Sequence, residues 1–156
     1  MTSDFINSYE GIRLPLVWLA GVANAWDLAN MFNVFAFEGT FDGRTFLNKE
    51  TQALISAPTN DSGELDRILQ WPTRWGLGLI LGDTPAIYGT PPHPRAIGHA
   101  GGGANVVWAD PDERLTVAFL CNGMLTRGRE WERYRVLGDL IYASLLPRNS
   151  SPRETS

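Results

Sequence analysis

Between residues 24 and 36 apolar side chains recur at helical spacing. Trp26, Leu28, Ala29, Phe32, Phe35 and Ala36 fall on one stripe, with polar residues between them. Asn24 can cap that helix, and Asp27, three residues on, completes a capping-box-like pair beside the positive helix end. Glu38-Gly39-Thr40 ends it. Phe41-Asp42-Gly43-Arg44 then reads as a tight turn, since Asp-Gly tolerates the positive φ such turns need. Asn48 can cap a short second helix over residues 49–55, stopped before Pro58. Residues 1–20 read as irregular because Gly11 and Pro15 break any period, and residues 16–19 form an apolar patch suited to a core.

In the second half the period changes from helical to strand-like. Residues 74–81 read as a strand, and residues 104–109 and 115–120 are two more. The last two are joined by the polar turn Asp110-Pro111-Asp112-Glu113 and so form an antiparallel hairpin. A closing helix spans 130–146, with Trp131, Tyr134, Leu137, Gly138, Ile141 and Leu145 on the face that covers the sheet; Pro147 stops it. Residues 59–63 are a polar loop. Residues 84–95 hold four prolines and His93, which reads as an ordered loop near a site entrance with His93 on its surface. The pattern implies one domain whose closing helix covers an antiparallel hairpin, and a disordered tail over 148–156.

Length and charge narrow the function classes. A chain of 156 residues allows one domain with a sizeable core. A net charge of −4 and a pI near 5.1 leave no electrostatic footprint for nucleic acid or an anionic membrane. The single Cys121 lies in an apolar run and reads as a buried small residue, not a nucleophile. The start has neither a positive n-region nor an apolar h-region, so the expectation is either a cytoplasmic location or a true N-terminus that lies elsewhere. Residues 14–25 are apolar but interrupted by Pro15 and too short for a bilayer span. No His, Cys or acidic cluster has metal-ligand spacing, and no cofactor is expected.

The candidate chemistry lies in Gly98-His99-Ala100-Gly101-Gly102-Gly103, followed by the strand residues Asn105-Val106-Val107-Trp108. Three consecutive glycines cost backbone entropy, which suits a place where something approaches the main chain closely. Two readings stay open. One is a glycine-rich turn with His99 in a structural hydrogen bond. The other is an oxyanion or carboxylate site, with backbone N–H groups of Gly101, Gly102 and Gly103 as donors and the His99 imidazole beside them. A dinucleotide fingerprint is excluded, because that motif needs a helix after its glycines and here a strand follows.

Residues 97–124 resemble the third motif region of the β-lactamase-related serine hydrolases, the group of class C β-lactamases, penicillin-binding-protein-like proteins and family VIII esterases. His99-Ala100-Gly101 stands where the esterase branch has His-x-Gly and the lactamases have Lys-Thr-Gly; Asp110-Pro111 and Asn122 follow in the family's order. Upstream, Ala20-Gly21-Val22, residues 24–29 and residues 39–51 resemble the family's Ala-Gly, capped-helix and Gly-x-x-Asp-Gly segments. The likeness covers roughly residues 20–146. It implies a single partial domain over 1–147, α+β of the α/β-sandwich type with helices packed on an antiparallel sheet, as the C-terminal portion of the β-lactamase/transpeptidase-like fold, with His99 as a catalytic pocket residue and the Gly102 N–H as one of two oxyanion donors. His-x-Gly in place of Lys-Thr-Gly implies carboxylic esters over β-lactams, since a lysine ammonium suits the β-lactam carboxylate better.

The family's nucleophile is the Ser of Ser-x-x-Lys, supported by Tyr-x-Asn or Tyr-x-Ser. These 156 residues contain no Ser-x-x-Lys: the one lysine, Lys49, has Phe46 three residues before it. Tyr142-Ala143-Ser144 matches Tyr-x-Ser in letters only, because it lies after the His-x-Gly and inside the closing helix. The expectation is half a site: a C-terminal fragment of a serine hydrolase, inactive alone, that meets a small-molecule ester or amide substrate once an N-terminal part completes it. The sheet edge left open by the missing strands is a route to self-association. The alternative is a non-catalytic binding or regulatory protein that uses the retained pocket or edge.

Overall fold

The computed structural model describes residues 3–15, 21–61, 63–85, 87–101, 105–123 and 129–145. Two short helices come first, α1 (Ser3–Ile6) and α2 (Tyr9–Arg13), where the sequence reads as irregular. The overlooked signal is Ser8, whose Oγ accepts the Gly11 N–H at 3.1 Å and so starts α2. Helix α3 (Ala25–Ala36) follows as expected. Asn24 Oδ1 accepts the Asp27 N–H at 2.8 Å, while its side-chain amide donates to the Asp27 carboxylate at 2.8 Å. Of its apolar stripe, Phe32 and Ala36 are buried, but Trp26 stands 76% exposed.

The Asp-Gly turn closes the small hairpin β1 (Thr40–Phe41) and β2 (Arg44–Thr45). Asp42 and Gly43 both have positive φ, 49° and 69°, the conformation of a type I′ turn. Asn48 then caps α4 (Lys49–Ser56) through its Oδ1 and the Thr51 N–H, 2.7 Å apart. A second small hairpin, β3 (Leu65–Asp66) and β4 (Trp71–Pro72), has no period long enough to read from sequence.

The strand expected over 74–81 is mostly a turn. Only β5 (Ile80–Leu81) is strand, with Trp75 forming a single antiparallel bridge back to Ile80. Gly78 at φ 72° bends the chain, and Gly76 N–H donates to Leu79 O at 2.8 Å, so these residues fold on themselves. The main sheet runs β5–β6–β7–β8, all antiparallel. Its other strands are β6 (Ile97–Ala100), β7 (Val106–Asp110) and β8 (Leu115–Phe119). Strand β6 is absent from the sequence reading, since Gly98 and His99 carry no strand propensity. Gly98 is required there: it pairs with Trp108, and a Cβ at this position would run into the Trp108 main chain.

Alternation along β7 separates two layers. Val106 and Trp108 join Ile80, Tyr88, Trp131 and Tyr134 in one core, while Val107 and Ala109 join Phe32 and Ala36 in the other. Helix α5 (Arg129–Leu145) supplies Trp131 and Tyr134 to the first core, with Leu137 and Ile141 packed against it. Leu145, expected on that face, is exposed at the helix end. Helix α3 covers the second face. This is the expected α+β arrangement; the tail, residues 148–156, lies outside the described residues.

Candidate active site

His99 sits on β6 opposite Val107, one residue before the chain leaves the strand. Its ring is exposed, and Nδ1 lies 2.8 Å from the Ala100 carbonyl oxygen. A carbonyl only accepts, so Nδ1 is the protonated nitrogen and Nε2 carries the lone pair in the neutral ring. The tautomer therefore leaves a basic nitrogen for chemistry or ligand binding.

Gly101 and Asn105, on either side of residues 102–104, are both held. Gly101 N–H donates to Asn105 O at 2.7 Å, and the Tyr134 hydroxyl donates to Gly101 O at 3.4 Å. Asn105 Oδ1 in turn accepts the Cys121 N–H at 2.9 Å, tying the start of β7 to the end of β8. Burial pushes the Tyr134 hydroxyl up to about 12, reinforced by the nearby Glu130 charge, so it stays a donor. Gly102 and Gly103 lie outside the described residues. Of the proposed donors the structure therefore places Gly101, and Gly101 spends its own N–H on the turn.

Trp75 flanks His99, with ring centroids 5.8 Å apart and planes tilted by 46°. Its indole N–H donates to Asp66 Oδ2 at 2.9 Å. Asp66 Oδ1 accepts the N–H groups of Ile68 and Leu69, each at 2.8 Å. The Leu69 N–H, with the indole and the Ile68 N–H, holds the Asp66 carboxyl below its ordinary value against the cost of burial. The Trp75 main chain is held as well: its N–H donates to Asn60 Oδ1 at 2.7 Å, and its carbonyl accepts the Thr59 N–H at 2.7 Å. Neither Asp66 nor Trp75 is visible as a site residue in the sequence, because Trp75 meets His99 only through the fold and Asp66 reaches Trp75 from a hairpin two residues deep.

Other candidates fall elsewhere. Residues 84–95 join β5 to β6 at the Ile97 end, opposite the end that carries His99 and Gly101, so this loop does not border the site. Nor is His93 a surface residue: its ring stacks on Tyr142 at 3.4 Å and 10°, and Nδ1 lies 3.4 Å from the buried Asp110 carboxylate. Tyr142 donates to that same carboxylate at 2.9 Å and accepts from the Trp108 indole at 3.2 Å, a packing role inside the core. Cys121 is half-buried, with Sγ 3.2 Å from an Arg133 guanidinium nitrogen. Lys49 lies at the start of α4, lining a cavity of about 430 Å³ with Arg95 and Ile97. Among the described residues no group of three His, Cys, Asp or Glu could hold a metal ion, and no helix is long and apolar enough to cross a membrane.

An antiparallel sheet with a helix on each face, and a histidine at the end of an inner strand, is the α+β arrangement that the resemblance to β-lactamases, penicillin-binding proteins and their esterase relatives implies. The chain belongs to the β-lactamase family of serine hydrolases, whose sequence model, Beta-lactamase, matches residues 8–139. It is similar to a penicillin-binding protein homolog from Caulobacter crescentus, 28% identical with a TM-score of 0.66 over 78% of this chain and 32% of that one. It is also similar to a family VIII carboxylesterase, 25% identical with a TM-score of 0.58 over 74% of this chain and 32% of that one. EstA from Arthrobacter nitroguajacolicus Rue61a shares the fold at 24% identity and a TM-score of 0.63, covering 90% of this chain and 38% of that one. The chain thus spans about a third of the length of these structures. No curated protein matches it.

Proposed function

We propose that these residues are the C-terminal, pocket-bearing part of a serine hydrolase that cleaves carboxylic esters through an acyl-enzyme, with the nucleophile supplied by the part of the fold outside them. The observation that carries this reading is His99 near the end of β6, its Nδ1 2.8 Å from the Ala100 carbonyl oxygen, directly before the glycine motif that begins beyond Ala100. In the completed site the nucleophilic serine adds to the ester carbonyl, and the oxygen of the tetrahedral adduct is stabilised by the serine N–H and the Gly102 N–H. The alkoxide leaves with a proton, and water then releases the acid. His99 binds or relays a proton next to that centre. A histidine at the Lys-Thr-Gly position favours a neutral ester over a carboxylate-bearing β-lactam.

The test is turnover of p-nitrophenyl butyrate and of a chromogenic cephalosporin. The 156 residues alone should hydrolyse neither. Co-folded with the N-terminal part of a family VIII carboxylesterase that contains Ser-x-x-Lys, they should cleave the ester, and His99→Ala should abolish it. Ester turnover by the isolated chain, dependent on His99, contradicts the assignment of the nucleophile to another segment. A binding or regulatory role is the second reading. It is favoured by an apolar groove of about 510 Å³, lined by Met31, Phe32, Phe41, Phe46 and Leu79, that no described element covers. Ligand affinity without any labelling of the completed protein by a serine-directed probe would select it.

A further inference from the structure

We infer that the cleft between α4 and the Ile97 end of the sheet is a second ligand site, which takes a small monocarboxylic acid with a compact apolar body. His99 is not among its walls, and the inference does not depend on the hydrolase reading. The cleft encloses about 430 Å³, within the range of small-molecule sites, over a buried floor of Leu81, Ala96 and Ile97. Phe35 of α3 forms one wall. Helix α4 forms the other, and it buries none of its own residues. Lys49, Gln52, Ala53 and Ser56 recur at helical spacing, so one face of α4 lines the cleft instead of packing on the sheet. Gln52 ties that face to α3, its amide donating to Phe35 O at 3.5 Å.

The polar groups suit an anion of single charge. Arg95 is fixed at the rim by two carboxylates, Glu38 Oε1 at 2.9 Å and Asp112 Oδ1 at 2.7 Å. Its charge is therefore already met. Lys49 is the unmatched cation, its ammonium having no carboxylate partner among the described residues. The Ser56 hydroxyl likewise has no hydrogen-bond partner among them. One free positive charge and a spare hydroxyl above an apolar floor match one carboxylate carried on a hydrocarbon body. The carboxylate gains charge-assisted hydrogen bonds from Lys49, and the body takes Leu81, Ala96 and Ile97 out of contact with water.

The test is a titration of the 156-residue chain with sodium hexanoate, followed by backbone amide NMR shifts. Ser56, Ala96 and Ile97 should move together and saturate. Hexanol has the apolar body without the charge, and inorganic phosphate has charge without the body. Each should bind about tenfold more weakly than hexanoate. Lys49→Gln should weaken hexanoate by about the same factor, and Lys49→Arg should retain it. Both alter an exposed side chain that has no ion-pair partner among the described residues, so the fold is kept. Ala53→Leu, also at an exposed position, should fill the cleft and remove binding. No saturable shift at Ser56 and Ile97 would overturn the inference. So would hexanol or phosphate binding as tightly as hexanoate, or hexanoate affinity indifferent to Lys49→Gln and Ala53→Leu.

Discussion

Tyr134 and Asp66 connect the site to the pH dependence of the fold. Tyr134 is buried, and its hydroxyl is raised from 10.0 to about 12. A group that must stay protonated in the folded state contributes stability that is fully present below its unfolded value and lost as pH rises through the folded one. Tyr88 and Tyr142 are raised by burial in the same direction. Stability should therefore hold to about pH 10 and fall beyond it, and Tyr134→Phe should lessen the steepness of that fall. At neutral pH the same variant should cost about 1 kcal/mol, the hydrogen bond to Gly101, read from the urea midpoint. Asp66 works in the opposite direction. Its value lies below the ordinary 3.8, so its contribution is present above pH 3.8 and is lost as pH falls through the folded value. Urea curves for wild type and Asp66→Asn should differ at pH 7 and converge as pH falls below 3.8; a constant gap would mean the carboxylate charge is not what holds Trp75.

At the scale of elements, caps and turns were legible because their chemistry is local. Asn24, Asp42-Gly43 and Asn48 each satisfy or bend backbone within three residues, and each does so where the sequence indicates. Asn24→Ala should cost α3 about 1 kcal/mol in thermal or urea unfolding. Strand β6 was illegible for the converse reason: Gly98 and His99 are strand residues only because Trp108 lies across from them. Gly98→Ala should be severely destabilising, since the added methyl meets the Trp108 main chain, which cannot move aside. The turn at 75–79 was misread because Trp75, Leu77, Leu79 and Leu81 alternate like a strand, while Gly78 decides the bend. Likewise the placement of the 84–95 loop follows from sheet register, which no local pattern encodes. Half of the candidate site, His99 and the glycines, was readable as a motif; Asp66 and Trp75 reach it through a long-range fold.

For the whole molecule, the register leaves one side of β8 without a partner among the described strands, and the groove under α3 exposes Met31 and Phe46, each 61% accessible. An open edge and an apolar groove on one small domain favour association. Sedimentation of the isolated chain should show concentration-dependent self-association, reduced by the double variant Met31→Lys, Phe46→Lys. Both features also fit a chain that spans about a third of its structural relatives. The most direct measurement is made on the native protein, captured from its own cells with an antibody to residues 129–145 after treatment with a fluorophosphonate probe. A labelled serine within Ser-x-x-Lys should be recovered, either on a polypeptide heavier than 17.3 kDa or on a second polypeptide that co-purifies with the first. An unlabelled protein of 17.3 kDa, captured alone, would contradict the hydrolase account.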